Sequence, residues 1–234
     1  MINLNTLSND LEKYMNMVGC EQDLNVEHEA RIDMYEGLLA GALGCRAKSR
    51  GLDSLDNLIP NIKAILEWLR GTDFYRAPAS TKYHGSFHGG LLLHCLTVYN
   101  KMIELHRVKT FSDVDYGSAT LVMLTHDWCK INRYEPYFRN EKNQQTGLWE
   151  EKLAYKWNDK SLGLGHGPQS LMMVSQFCTS KYTSLTFDEM AAIRWHMYTY
   201  DVTSYDVNDL NKCNSQIPLT LLTQFSDQMA AIEG

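Results

Sequence analysis

The sequence predicts an all-α domain that carries one small inserted β-hairpin. Three observations predict it. Apolar residues recur at helical spacing along most of the 234 residues, and helix start and stop signals bracket those runs. A single stretch, 132–159, breaks the pattern: it is rich in Tyr, Phe and Trp, and Asn143-Gln144-Gln145-Thr146-Gly147 divides it into two aromatic segments, as in a hairpin.

The elements follow in order. Ser8 precedes Asp10, Leu11, Met15 and Met17, a short first helix. The run from Val26 to Leu43 has Ile32, Tyr35, Leu38, Leu39 and Leu43 on one face, with Gly44 as its expected stop. Leu58 to Leu69 repeats the pattern through Ile62, Ile65 and Leu66, with Gly71 after it. Pro78, Ser80 and Thr81 mark 76–83 as a loop. Gly89 to His106 has an inner face of Leu92, Leu96, Tyr99 and Ile103, and Ser112 is placed to cap a helix ending near Cys129. Pro168 suits the first turn of a helix through Phe177. Thr186 and Glu189 form a capping box ahead of Met190, Ile193 and Met197. A last helix covers Pro218 to Ile232.

Composition narrows the function classes. At 44% hydrophobic and 21% charged, the chain matches an ordinary globular protein with a sizeable core. The net charge of -6 and the lack of any long Lys/Arg run argue against extended nucleic-acid binding. No signal peptide or membrane-spanning run is visible, so the expected location is the cytoplasm, with the six cysteines reduced. No Cys-x-x-Cys pair occurs. Cys95 and Cys129 read as small core residues rather than ligands.

The chemistry concentrates at a few histidines and aspartates. His126-Asp127 closes the apolar run Ala119 to Leu124, where an imidazole beside a carboxylate is costly unless something pairs them. A divalent cation would do so. Taken alone, a His-Asp dipeptide is weak evidence. The further candidates change its weight: His94 on an apolar helix, His166 just before a helix, His196, and Asp227 among apolar helical neighbours.

In that order these residues resemble the HD superfamily of metal-dependent phosphohydrolases, over about Tyr83 to Ala231. The chain is similar to the HD domain of a group of bacterial 3′→5′ exoribonucleases, which has a His-rich turn, Gly-Gly-Leu-Leu-x-His, His-Asp-x-x-Lys, Gly-His, a later His and a final Asp. Here these are His84 to His94, His126-Asp127-Trp128-Cys129-Lys130, Gly165-His166, His196 and Asp227. The resemblance implies an HD-domain helical bundle at 76–234, preceded by a helical extension at 1–75. It implies one or two divalent metal ions (Mn, Mg, Fe, Ni, Co or Zn), the first on His94, His126, Asp127 and Asp227. Asp127 would bridge to a second ion on His166 and His196. Metal-activated water and charge neutralisation at phosphorus would then drive hydrolysis.

Lys130, one helical turn past His126, can reach a phosphate oxygen, or it can simply be a solvated cation at a helix C-terminus. Arg133, His84 and His88 are further substrate-contact candidates. The hairpin aromatics Tyr134, Tyr137, Phe138, Trp149, Tyr155 and Trp157 are expected mostly to pack the hairpin onto helices, with one or two facing the site.

Two departures matter. The exoribonucleases carry a strand-rich nucleic-acid-binding domain before the HD domain, and 1–75 reads as helical, so RNA specificity does not carry over. The family's Leu-Gly after His-Asp is Trp128-Cys129 here. The expected substrate is a nucleotide or related small phosphorylated molecule. Two rivals stay open: a nuclease acting on nucleic-acid ends, and a catalytically inactive metal-binding regulatory protein.

Overall fold

The computed structural model describes residues 1–159 and 163–233. Among these, nine α-helices surround a core and one two-stranded hairpin projects from it. The helices are α1 (Leu7–Met15), α2 (His28–Ser49), α3 (Ile59–Arg70), α4 (Gly90–His106), α5 (Tyr116–Thr125), α6 (His166–Ser175), α7 (Phe187–Trp195), α8 (Val207–Gln216) and α9 (Pro218–Glu233). The strands are β1 (Tyr134–Lys142) and β2 (Trp149–Trp157). No helix among the described residues is long and apolar enough to cross a membrane.

The short helix α5 organises the rest. Every residue from Ala119 to Thr125 is buried, so it has no solvent-facing side. A helix apolar all round must be covered all round, and α2, α4, α7 and α9 supply the cover. Asp115 starts α5 by accepting a hydrogen bond from the Ser118 amide at 2.7 Å. The expected cap, Ser112, lies outside the helix, and a 3₁₀ turn, Trp128–Lys130, follows its end.

Two expectations need correction. Gly44 does not stop α2, which runs on to Ser49. The glycines of α2 serve close packing instead: a Cβ on Gly41 would collide with the Tyr14 carbonyl of α1. Residues 1–75 do contain helices, as expected, and α2 lies deep in the core shared with α4 and α5.

The second correction concerns the hairpin. Its strands pair antiparallel from Tyr134↔Trp157 to Lys142↔Trp149, and Asn143 caps the turn through the Gln145 and Thr146 amides. Only Ala154 and Tyr155 are buried. Phe138 and Trp149 are 68% and 70% exposed, so most of the aromatics do not pack on helices. The reason is geometric: the base of the ribbon touches the helical body, and no second layer among the described residues covers its far end.

Ionic ties join distant segments. Arg46 of α2 reaches Glu189 of α7 through two hydrogen bonds of 2.6 Å, with both side chains almost fully buried. Glu189 also completes the expected capping box with Thr186. One carboxylate therefore starts α7 and anchors it to α2.

Candidate metal centre

Two helices end on the site in the same way. His126 is the C-cap residue of α5 and His196 that of α7. In each case the ring folds back so that Nδ1 meets the carbonyl three residues earlier: Met123 at 2.8 Å and Ile193 at 2.7 Å. A carbonyl can only accept, so Nδ1 carries a proton, and in the neutral ring Nε2 is the nitrogen left with a lone pair. Both lone pairs point inward at helix C-termini, whose partial negative charge favours a cation. Such orientation of the far ring nitrogen is what metal-ligating histidines ordinarily have.

The other groups arrive from three directions. α4 packs on α9, which sets His94 Nε2 3.0 Å from Asp227 Oδ1; His126 Nε2 is 3.7 Å from the same oxygen. Gly90 lets the turn bearing His84 press against the start of α4, because a Cβ there would strike the Gly85 carbonyl. His166 opens α6, and Asp201 fixes that end by accepting from the Gly167 amide at 2.8 Å.

Asp127 sits at the middle, with its carboxylate shared between two histidine pairs. Oδ2 lies 3.4 Å from His94 Nε2 and 3.5 Å from His126 Nε2. Oδ1 lies 2.7 Å from His166 Nε2 and 3.6 Å from His196 Nε2. Two groups of metal-ligand type therefore meet at one residue: His94, His126 and Asp127, and Asp127, His166 and His196. Lys130 Nζ is 2.6 Å from Oδ2 as an ion pair, not an aligned hydrogen bond.

The donors fit a divalent cation. Nε2 of His94, His126 and His196 are buried without hydrogen-bond partners among the described residues, and Oδ2 of Asp127 has the Lys130 ion pair in place of one. Orphaned buried polar atoms are costly. Four converging imidazole and carboxylate donors are the usual set for a borderline metal.

Electrostatics favours the ligating forms for the carboxylates. Burial pushes the Asp127 carboxyl up, but the Lys130 ammonium and the surrounding imidazoles of His126, His166 and His196 outweigh it and hold it well below the usual range. Asp227 is likewise pushed up by burial and held well below by His126 and His94. His94 is lowered by burial and raised further by Asp127 and Asp227, ending above its ordinary value. Burial dominates at His166, which falls. At His84, burial together with His94 and Lys130 brings it to about 4.

All six ligand candidates thus come together. Of the substrate-contact candidates, Lys130 and His84 border the cluster: the His84 ring lies tilted against that of His94, 4.8 Å between centroids, with a buried, unpartnered Nε2. His88 is exposed, tilted against His28, and lines a separate cavity with Asp73, Arg76, Tyr134 and Tyr155. Arg133 is tied to Gln169 at 3.0 Å and stacks over Trp157. Cys95 and Cys129 are buried and lie outside both ligand groups.

Sequence reasoning missed two supports. Tyr35 of α2 braces the turn at Asp127 through Leu124 and Trp128. Arg31, on the same helix, lines a cavity that also contains His84 and His94. Comparison with family models, curated proteins and solved structures returned no match.

Proposed function

We propose that this chain is an HD-type metal-dependent phosphohydrolase cleaving a phosphate ester of a nucleotide or related small molecule. One observation carries the reading: Asp127 is shared between the pair His94/His126 and the pair His166/His196, with Asp227 beside the first. A single carboxylate with two oxygens facing two imidazole pairs is the arrangement needed to bridge two ions. The bound ions would supply an activated water and offset charge on the phosphoryl oxygens.

The protein's own groups have definite parts. His94, His126 and Asp227 hold one side of the centre, His166 and His196 the other, and Asp127 joins them. The Lys130 ammonium, raised by Asp127 against the opposing effect of burial, stays charged and is placed to meet a phosphate oxygen. The neutral His84 ring offers Nε2 to the substrate beside His94.

The test is Asp127→Ala with added Mn²⁺ or Mg²⁺. Hydrolysis of a generic phosphodiester or nucleotide should fall at least about a hundredfold, since the change removes the shared ligand. Far-UV circular dichroism should stay unchanged, because the apolar helices carry the core. Equal turnover by mutant and wild type would place the chemistry elsewhere. A wild type that binds metal but turns over no mononucleotide, cyclic dinucleotide or short oligonucleotide would favour the regulatory alternative.

A further inference from the structure

A cavity of about 460 Å³ adjoins the metal centre. That falls in the range of about 300–1,000 Å³ usual for small-ligand sites, and far exceeds what one phosphate group fills. Its walls come from three parts of the chain. His84 and His94 link it to the metal cluster, while Phe87, Leu93 and Ala230 offer apolar surface. The third wall is N-terminal: Leu24 and Arg31.

That N-terminal wall is fastened to the helix that carries His94. Asn100 of α4 brackets Gln22, accepting from its amide at 2.9 Å and donating to its carbonyl at 2.7 Å. Tyr99, also on α4, accepts from the Gly19 amide at 3.2 Å and donates to the Cys20 carbonyl at 2.8 Å. Arg31 is then oriented by its own Nε, which donates to the Leu24 carbonyl at 3.0 Å. Its two terminal nitrogens make no hydrogen bond or ion pair among the described residues. The acid lining the cavity, Glu233 at the end of α9, is already paired with Lys101 at 2.8 Å.

Resting on the phosphohydrolase reading, we infer that this cavity receives the leaving group of the ester, and that Arg31 binds a second phosphate on it. The substrate class is accordingly a doubly phosphorylated small molecule with an apolar or planar body, such as a nucleoside bisphosphate. A guanidinium with Nε anchored keeps a planar fork of free N–H donors, the geometry that matches a phosphate. The apolar wall suits the body between the two phosphates, and His84 Nε2 gives a further polar contact on the metal side. The N-terminal segment thereby acquires a role: it completes the specificity pocket.

The experiment measures binding of adenosine 3′,5′-bisphosphate and of AMP to the Mn²⁺-loaded full chain by calorimetry, with turnover of both followed separately. Wild type should bind the bisphosphate at least about tenfold tighter than AMP, as expected for one added charge-assisted contact. In Arg31→Gln that ratio should fall close to one, and in Arg31→Lys, which keeps the charge but not the fork, it should be intermediate. A wild-type ratio near one overturns the inference, as does a ratio that Arg31→Gln leaves unchanged. The two readings fail separately. An Arg31-dependent ratio without turnover sinks the hydrolase and keeps the anion site; turnover with an Arg31-independent ratio does the reverse.

Discussion

Trp128 donates its indole N–H to the hydroxyl of Tyr35 across 3.0 Å. The same hydroxyl donates to the Leu124 carbonyl at 2.6 Å, close to the end of α5. Both residues are buried, at 1% and 0% exposure. One phenol on α2 therefore joins the two chain segments on either side of His126-Asp127, and it holds the ligand-bearing turn from behind.

Tyr35→Phe should destabilise the fold by about 1–3 kcal/mol, because it leaves a buried carbonyl and a buried indole N–H without their partner. Urea unfolding measures it. A change within error of zero would mean that the brace contributes nothing. Burial holds the Tyr35 phenol well above its ordinary value, so it stays a neutral donor through the working pH range.

A larger loss is expected for Arg46→Ala. It strips the hydrogen-bonded guanidinium from Glu189, a fully buried carboxylate that also caps α7, and leaves only the longer Arg50 contact at 3.7 Å. Breaking a buried, hydrogen-bonded pair on one side costs about 3–5 kcal/mol. Since α7 ends at His196, metal affinity should weaken along with stability. Thermal melting with and without Mn²⁺ reads both effects, and an unchanged melting temperature would contradict the anchoring role.

Metal binding should release protons near neutrality, and His94 is a source. Its folded pKa is raised, so its protonated form adds stability that is complete below the unfolded value of about 6.5 and lost as pH rises through the folded value. A metal needs the neutral ring. Apparent affinity should therefore climb with pH above about 6.5, by up to about tenfold per unit for one displaced proton, and level off beyond the folded pKa of His94. Asp127 and Asp227, held low, are already ionised there and release nothing; burial shifts His166 towards its neutral form. Calorimetry in two buffers of different ionisation enthalpy counts the protons. A count of zero at pH 6.5 would show that His94 is neutral before metal arrives.

Much was legible from the sequence because local signals and the core pattern agreed. The apolar run before His126 required a covered helix, Thr186 and Glu189 announced the start of α7, and alternating aromatic segments announced the hairpin. The order His94, His126-Asp127, His166, His196, Asp227 marked the candidate ligands before any distance was known. By contrast, α8 left no trace. Of its residues only Leu210 is buried, and Asn, Asp and Ser have low helix propensity, so neither periodicity nor propensity flagged it.

What tertiary structure alone decided is which distant groups meet. A local pattern records burial along one helix, whereas a contact depends on how helices cross. Gly44 read as a stop, yet α2 continues because its glycines admit α1 closely, a contact set by a different segment. Phe138 and Trp149 read as packed aromatics, yet both are largely exposed among the described residues. Arg31 drew no attention in the sequence, where it is one charge on a helix. It reaches the cavity beside His94 only because Tyr99 and Asn100 fasten the preceding loop to α4. The sequence by itself determined the helices and the ligand types; packing of α2, α4, α7 and α9 around α5 decided that those ligands share one centre, because only that packing brings together the five separate segments that carry His94, His126-Asp127, His166, His196 and Asp227.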